Sequence, residues 1–303
     1  MLVKDLGEFR LIERFRKRIL LDSSVIAGSG DDCAVLKFDK KRYQLFTCDM
    51  IVENVDFTLK DNPYLIGRKA VAISISDIAS CCGLPWYCLI SMGMPKNTPV
   101  KFVDRIFKGM LDISREYNIN IAGGDLSRSG RIVIDVSMLG LVEKKNLTLR
   151  SSARTGDCIF VTGELGGSIL GKHLRFTPRI KEARFLAKNF KVNAMIDISD
   201  GLVQDLRHIL KQSKVGAVIY EEFIPLSPKA RNLSDALKSG EEFELLFTLP
   251  RKEAKRILNK KLVTFKFIGE IVDRKYGFKL INEAGKIKDI NLKGNSLTGF
   301  THF

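Results

Sequence analysis

Five acidic turns hold the residue types best suited to chemistry: Gly30-Asp31-Asp32, Thr47-Cys48-Asp49, Ser76-Asp77, Gly123-Gly124-Asp125 and Asp197-Ile198-Ser199-Asp200-Gly201. Each closes an apolar stretch or lies beside Gly, Ser, Thr or Cys. A single Asp in such a place is ordinarily a turn residue or helix N-cap whose carboxylate accepts backbone N–H groups. Five in one chain suit another task. Carboxylates at element ends are the hard oxygen donors that Mg²⁺ takes, with water and phosphate oxygens completing its shell. The neighbouring glycines leave backbone N–H groups open to phosphate. Clustered carboxylates repel one another and an anionic substrate unless metal ions neutralise them. The set predicts several Mg²⁺ ions bridging a polyphosphate.

The common nucleotide fingerprints do not fit. Gly28-x-Gly30 has Cys33 where a dinucleotide-binding turn needs its third glycine. Gly166 to Lys172 spells G-x-x-x-x-G-K, but His173 follows where a P-loop needs Ser or Thr to hold Mg²⁺. No H-R-D kinase signature is present.

The elements that must position these turns alternate between helical and extended patterns. Leu6, Phe9, Ile12, Phe15 and Ile19 predict an amphipathic helix over 6–20. Helices are also expected over 65–82, stopped by Gly83 and Pro85, and over 100–117, 183–190 and 202–212. Strands are expected over 43–47, ending at Cys48-Asp49, and over 86–92 and 132–141. A short strand over 119–122 should lead into the Gly123-Gly124-Asp125 turn. Further strands are expected over 158–162, 194–198, 215–220, 243–248, 264–271 and 278–281. The class is mixed α/β. The polar, basic stretch from Glu143 to Arg154 places a boundary between domains 1–145 and 146–303, and 303 residues suffice for two.

Composition narrows the class. Hydrophobic residues form 45% and charged residues 28% of the chain, so it can build a sizeable core. The net charge of +15, from 50 Lys+Arg against 35 Asp+Glu, favours anionic partners. These cations are spread along the chain, with dense runs only as short as Arg14-Phe15-Arg16-Lys17-Arg18, so no nucleic-acid partner is expected. None of the six cysteines forms a C-x-x-C pair, which argues against zinc and for free thiols in the cytoplasm. No signal pattern and no 18-residue apolar run appear, so no membrane role is expected.

In order along the chain, Gly30-Asp31-Asp32-Cys33-Ala34, Thr47-Cys48-Asp49-Met50-Ile51-Val52-Glu53, Ser76-Asp77-Ile78-Ala79, Gly123-Gly124-Asp125, the run Arg150 to Asp157, Ile196 to Leu202, and Gly240-Glu241-Glu242-Phe243-Glu244-Leu245 resemble the thiamine-monophosphate kinases of the aminoimidazole-ribonucleotide-synthetase-like superfamily. Gly7-Glu8-Phe9 and Gly299-Phe300-Thr301-His302-Phe303 extend the resemblance over essentially the whole chain. It implies two α/β domains and a homodimer whose N-terminal sheets pair into a barrel, with ATP in clefts near that interface. The implied reaction moves the ATP γ-phosphoryl onto thiamine monophosphate, giving thiamine diphosphate and ADP.

Position by position, the resemblance implies Mg²⁺ ligands at Asp32, Asp49, Asp77, Asp125, Asp197 and Asp200, with Thr47 and Cys48 at adjoining ligand positions. It implies nucleotide contacts at Gly124, Asp125, Arg150 and Ser199, and acceptor contacts at Asp56, Glu241 and Phe300. Asp49, Asp125 and Arg150 would be the catalytic set. The attacking group is a phosphate oxygen, ionised at neutral pH, so no general base is needed and none of His173, His208 and His302 need act. Alignment and charge neutralisation suffice for direct in-line transfer, with Arg150 adding charge beside the transferring group.

Some positions depart from the family. A Cys48 thiol is a poor Mg²⁺ ligand, so only its carbonyl would serve. Asn54-Val55-Asp56 replaces Gly-Val-His, and Phe300 replaces the commoner Trp. Superfamily relatives acting on other acceptors are the nearest alternative. Selenophosphate synthetase needs a reactive Cys before the Gly-Asp-Asp turn, whereas Cys33 is the first cysteine here. The hydrogenase-maturation dehydratase needs a C-terminal Cys, whereas this chain ends Thr301-His302-Phe303. A non-catalytic nucleotide- or RNA-binding protein is the alternative from another class, and the clustered acids argue against it.

Overall fold

The computed structural model describes residues 2–260 and 264–290. Two sheets split the chain, one with all its strands before residue 144 and one with all its strands after residue 156.

The first sheet has six strands: β1 (Val25–Ala27), β2 (Ala34–Lys37), β3 (Arg42–Val52), β4 (Leu84–Met94), β5 (Asn120–Arg128) and β6 (Val133–Glu143). Their order is β1-β2-β3-β6-β4-β5, antiparallel except where β4 pairs with β5. Two short N-terminal helices, α1 (Val3–Leu6) and α2 (Glu8–Arg16), precede it. The single helix expected over 6–20 is thus divided at Gly7, whose φ of 75° lies in the left-handed region that glycine accepts without strain.

Helices α3 (Pro63–Ser80) and α4 (Val100–Glu116) cover one face of this sheet. Asn62 caps α3 by accepting the Tyr64 N–H at 3.0 Å, and Pro63 sits at the first helical position, where its missing N–H costs nothing. The two helices touch backbone to backbone. A Cβ on Gly67 would lie 1.8 Å from the Ile106 carbonyl oxygen, and one on Gly109 would lie 1.9 Å from that of Tyr64. Only glycine fits at that crossing.

The second sheet comprises β7 (Asp157–Thr162), β8 (Ala194–Asp197), β9 (Gly216–Tyr220), β10 (Leu245–Pro250), β11 (Phe265–Val272), β12 (Phe278–Ile281) and β13 (Ile287–Asp289). Their order is β13-β12-β9-β11-β7-β10-β8. The accompanying helices are α5 (Lys172–Arg175), α6 (Ile180–Asn189), α7 (Leu202–Ser213), α8 (Leu233–Lys238) and α9 (Arg251–Asn259). Leu202, Leu206 and Ile209 on α7 join Val161, Ile196 and Leu246 of the sheet in one buried cluster. The other buried cluster runs across both halves, joining Ala70 and Ile134 to Phe160 and Phe247. No helix among the described residues is long and apolar enough to cross a membrane.

Two acidic turns expected at element ends lie inside strands. Cys48-Asp49 is in the middle of β3, and Gly123-Gly124-Asp125 is in the middle of β5. Gly124 belongs there because a Cβ would meet the Ile90 carbonyl oxygen at 1.8 Å, so the strand passes hard against β4. β1, β2, β13 and α8 are too short to carry a readable pattern, and α9 is amphipathic although the sequence reading does not anticipate it.

Candidate active site

The site is built on α3, whose sequence Ala-Val-Ala-Ile-Ser-Ile-Ser-Asp-Ile-Ala-Ser is apolar apart from Ser74, Ser76, Asp77 and Ser80. Each serine holds a carboxylate from a different part of the chain. Ser74 Oγ donates to Asp49 of β3 at 2.8 Å, Ser76 Oγ to Asp197 of β8 at 2.5 Å, and Ser80 Oγ to Asp32 at 2.7 Å. The Thr47 hydroxyl donates to Asp77 itself. Asp32, Asp77 and Asp197 each offer a carboxylate oxygen within 4.8 Å of the others.

Such crowding shows in the electrostatics. Burial, then the charges of Asp49, Asp197 and Asp32, pushes the Asp77 carboxyl well above the usual carboxylate range. Burial raises Asp49 to about 6 and, together with the Asp32 charge, Asp197 to about 8. One guanidinium answers them. Arg150, in a short turn over 150–152, donates to Asp32 from its side chain and to Asp31 Oδ1 from its backbone at 2.8 Å. Burial opposes the Arg150 charge most, but Asp32, Asp31 and Asp205 together outweigh it and keep the group protonated. Arg150 thus ties the first acidic turn to the start of the second half.

An all-oxygen set of close, mostly buried carboxylates, already hydrogen-bonded from behind by hydroxyls, fits Mg²⁺ and suits softer metals poorly. A second group, Asp200, Asp205 and His208, lies at the start of α7. There Asp205 accepts the Asp200 and Gly201 N–H groups at 3.0 and 3.1 Å. Burial, then the Arg150 charge, lowers His208 to about 4, so its ring, packed 5.3 Å from that of Phe9, is neutral at neutral pH.

Several residues expected from sequence to share this site lie elsewhere. Asp125 and Cys48 face away from it. Side chains alternate along a strand, so Thr47 and Asp49 point to α3 while Cys48 points to the open face, where its Sγ lies 3.1 Å from Asp135. Across that open face Asp125 is in register with Ser91, which pairs with Asp135, which pairs with Met50. Gly124 lies one residue before Asp125 on exposed β5. Asp200 belongs to the second acidic group. Asp56 turns its carboxylate inward to accept the Val52 N–H at 2.7 Å, closing its own turn. Ser199 meets the 239–243 turn, where its carbonyl accepts the Glu241 N–H at 2.6 Å. Phe300 lies outside the described residues.

Ser74, Ser80 and Lys69 went unrecognised in the sequence. The signal was available in polar residues interrupting an otherwise apolar helix. Lys69 is 1% exposed, and its ammonium donates to the Asp56 carbonyl at 2.8 Å and to the Glu241 carboxylate. Glu242 and Glu244 beyond it are buried as well. Glu242 accepts the Gly166 N–H at 2.7 Å and the Lys172 ammonium at 2.9 Å, and Glu244 pairs with Arg179 at 2.7 Å.

The fold has close counterparts. Residues 30–142 match the family of AIR synthase related proteins in its N-terminal domain, and residues 152–281 match its C-terminal domain. A thiamine-monophosphate kinase from Buchnera aphidicola subsp. Schizaphis graminum is 36% identical over 98% of this chain and 99% of the relative. A solved structure described as AaThiL complexed with AMPPCP and TMP superposes with a TM-score of 0.85 at 32% identity, covering 100% of this chain and 99% of the other. The crystal structure of thiamine monophosphate kinase from Aquifex aeolicus gives 0.80 at 31% identity, covering 95% and 100%. Two matched domains spanning most of the chain, and relatives this similar over nearly its full length, place the chain in the thiamine-monophosphate kinase family.

Proposed function

We propose that this chain transfers the γ-phosphoryl group of ATP to thiamine monophosphate, giving thiamine diphosphate and ADP. The observation that carries this reading is the group Asp32, Asp77 and Asp197, each held by a hydroxyl and each drawn from a different element. The similar structure with AMPPCP, a non-hydrolysable ATP analogue, and TMP supports both substrates.

Asp32, Asp49, Asp77 and Asp197 would hold Mg²⁺, which would supply charge neutralisation for the phosphate groups. The residues themselves do the rest. Thr47, Ser74, Ser76 and Ser80 fix the carboxylate oxygens in place before substrate arrives, so little reorganisation is needed at the moment of transfer. Arg150 brings a permanent positive charge to the edge of the group. Ser199 and Glu241, joined backbone to backbone, set the distance between the nucleotide side and the acceptor side. The acceptor's attacking phosphate oxygen is already ionised, so transfer is direct and in line, with no general base and no phosphoenzyme.

Residues 1–145 and 146–303 act as two domains with the site between them, a division supported by the break between β6 and β7. The chain works as a homodimer through the open face of the first sheet. Phe46, Met50 and Leu89 are 43%, 57% and 51% exposed there, a set of large apolar side chains that needs a cover. Pairing two such faces would form the barrel and present Asp125 and Gly124 of one subunit to the nucleotide near its partner.

An assay of ATP conversion in Mg²⁺, with and without thiamine monophosphate and reading thiamine diphosphate directly, tests this function. Product requires both substrates and is lost in Asp77→Asn. ADP formation that ignores thiamine monophosphate but follows another phosphorylated acceptor overturns the substrate assignment.

A further inference from the structure

Lys69 is the most deeply buried charged side chain of α3, with 1% of its surface exposed, and the transfer chemistry leaves it without a task. It lies seven residues before Ser76, so it shares the helix face that carries the carboxylate-holding hydroxyls, about 10 Å away along the axis. At its end of that face the ammonium reaches two turns. It donates to the Asp56 carbonyl at 2.8 Å and to Glu241 Oε1, joining the first half of the chain to the second.

Both turns are conformationally unusual. Asn54 has φ 63°, and the 54–57 turn is closed by the Asn54 N–H on the Phe57 carbonyl at 2.7 Å. Glu241 has φ 59° and Phe243 has φ 52°, so two residues with side chains occupy the left-handed region within three positions. Such backbone persists only when its surroundings hold it, and it collects at functional sites. Lys69 is the group that holds both turns. The Glu241 side chain remains 24% exposed, so it keeps an accessible edge while Oε1 is tethered by the buried lysine.

We infer that Lys69 is a positioning residue for the acceptor: it fixes the Glu241 carboxylate and the 54–57 turn at the distance from the carboxylate group that the acceptor's cationic ring requires. This rests on the acceptor assignment given above. The charges fit that division of labour. A thiazolium ring is cationic and would be repelled by a bare ammonium, so the lysine sits behind and the carboxylate in front. The acceptor's phosphate then lies toward Ser76 and Asp77, and its ring toward Glu241.

Steady-state kinetics on Lys69→Met, Lys69→Arg, Glu241→Gln and the double variant Lys69→Met/Glu241→Gln provide the test. In Lys69→Met, KM for thiamine monophosphate rises at least tenfold, while KM for MgATP stays within twofold and kcat falls less than fivefold. Lys69→Arg recovers part of the loss. Adding Lys69→Met to Glu241→Gln raises the acceptor KM by less than a further threefold, since the lysine acts through the carboxylate. A lysine needed only for packing would instead lower thermal stability and change both KM values together. Should Lys69→Met not fold, the comparison of Lys69→Arg with Glu241→Gln carries the same split. An unchanged acceptor KM in a folded variant, or fully independent effects in the double variant, overturns the role given to Lys69. Absence of thiamine diphosphate with the unmodified chain overturns the function reading before any variant is compared.

Discussion

The Ser76 hydroxyl donates to Asp197 Oδ2 at 2.5 Å across 121 residues of sequence, joining a helix that covers the first sheet to the edge strand of the second. That bond registers the two halves at the point where their carboxylates meet. Ser76→Ala removes the donor and leaves the charges. Groups that orient metal ligands typically govern affinity by about 10–100-fold. We expect the Mg²⁺ concentration for half-maximal activity to rise by about that factor, with an unchanged circular dichroism spectrum. A Mg²⁺ dependence identical to that of the unmodified chain would show that the bond does not orient Asp197.

Removing metal should make stability depend on pH in a defined direction. Burial raises Asp49 to about 6 and Asp197 to about 8 from an ordinary value of 3.8. The folded chain therefore binds protons that the unfolded chain has released. This stabilisation is fully present below about pH 4 and lost as pH rises through 6 and then 8. In EDTA the Tm should fall between about pH 5 and pH 8, and saturating Mg²⁺ should restore most of the loss at the upper end. Asp197→Asn should flatten the upper part of the fall. A metal-free Tm that is flat or rising over this range contradicts the crowding.

Asp125 and Asp49 lie on opposite faces of one sheet, three strands apart in the order β3-β6-β4-β5. That separation is about 14 Å at the usual strand spacing. If Asp125 serves the partner's site, Asp49→Asn and Asp125→Asn should each be inactive alone, and unfolding and refolding them together should restore about a quarter of the activity, because half the dimers are mixed and each mixed dimer has one intact site. No recovery from well-folded mixed dimers places both residues in the site of a single chain.

The α3–α4 crossing predicts a large packing effect far from the chemistry. Gly67→Ala drives a methyl group into the Ile106 carbonyl and should cost about 3 kcal/mol of stability. Gly130→Ala meets nothing within 4 Å and should stay within about 0.5 kcal/mol. Urea denaturation of the two variants checks both values.

Arg179 and Glu244 form a pair in which the carboxylate side chain is 1% exposed. Arg179→Leu leaves that acid with Lys172 as its remaining cation and should destabilise by about 3 kcal/mol. Arg179→Lys should cost less, since the ammonium keeps the charge beside the acid and one of its hydrogen bonds. Equal losses in the two variants would remove the electrostatic explanation.

Sequence alone determined the carboxylates and the chemistry they suit. Asp32, Asp77 and Asp197 could be read as cation ligands because acidic residues beside Gly and Ser, at the limits of apolar runs, have few other uses in such number. Periodicity likewise marked α4, whose apolar positions repeat on one face, while a run rich in Ala, Ile and Val stopped by Gly83 and Pro85 marked α3. Only the tertiary structure decided which acids share a site. Strand alternation turned Cys48 and Asp125 to the open face, a difference of one residue that no local pattern reveals when the strand limits are misjudged. Gly123-Gly124 looked like a turn because glycine is ordinarily turn chemistry, yet here it allows two strand backbones to touch. Polar residues interrupting α3 signalled Ser74, Ser80 and Lys69, but not their roles, for a related reason. A serine or lysine in an apolar helix acquires meaning only from its partner, and these partners lie 25, 48 and 172 residues away.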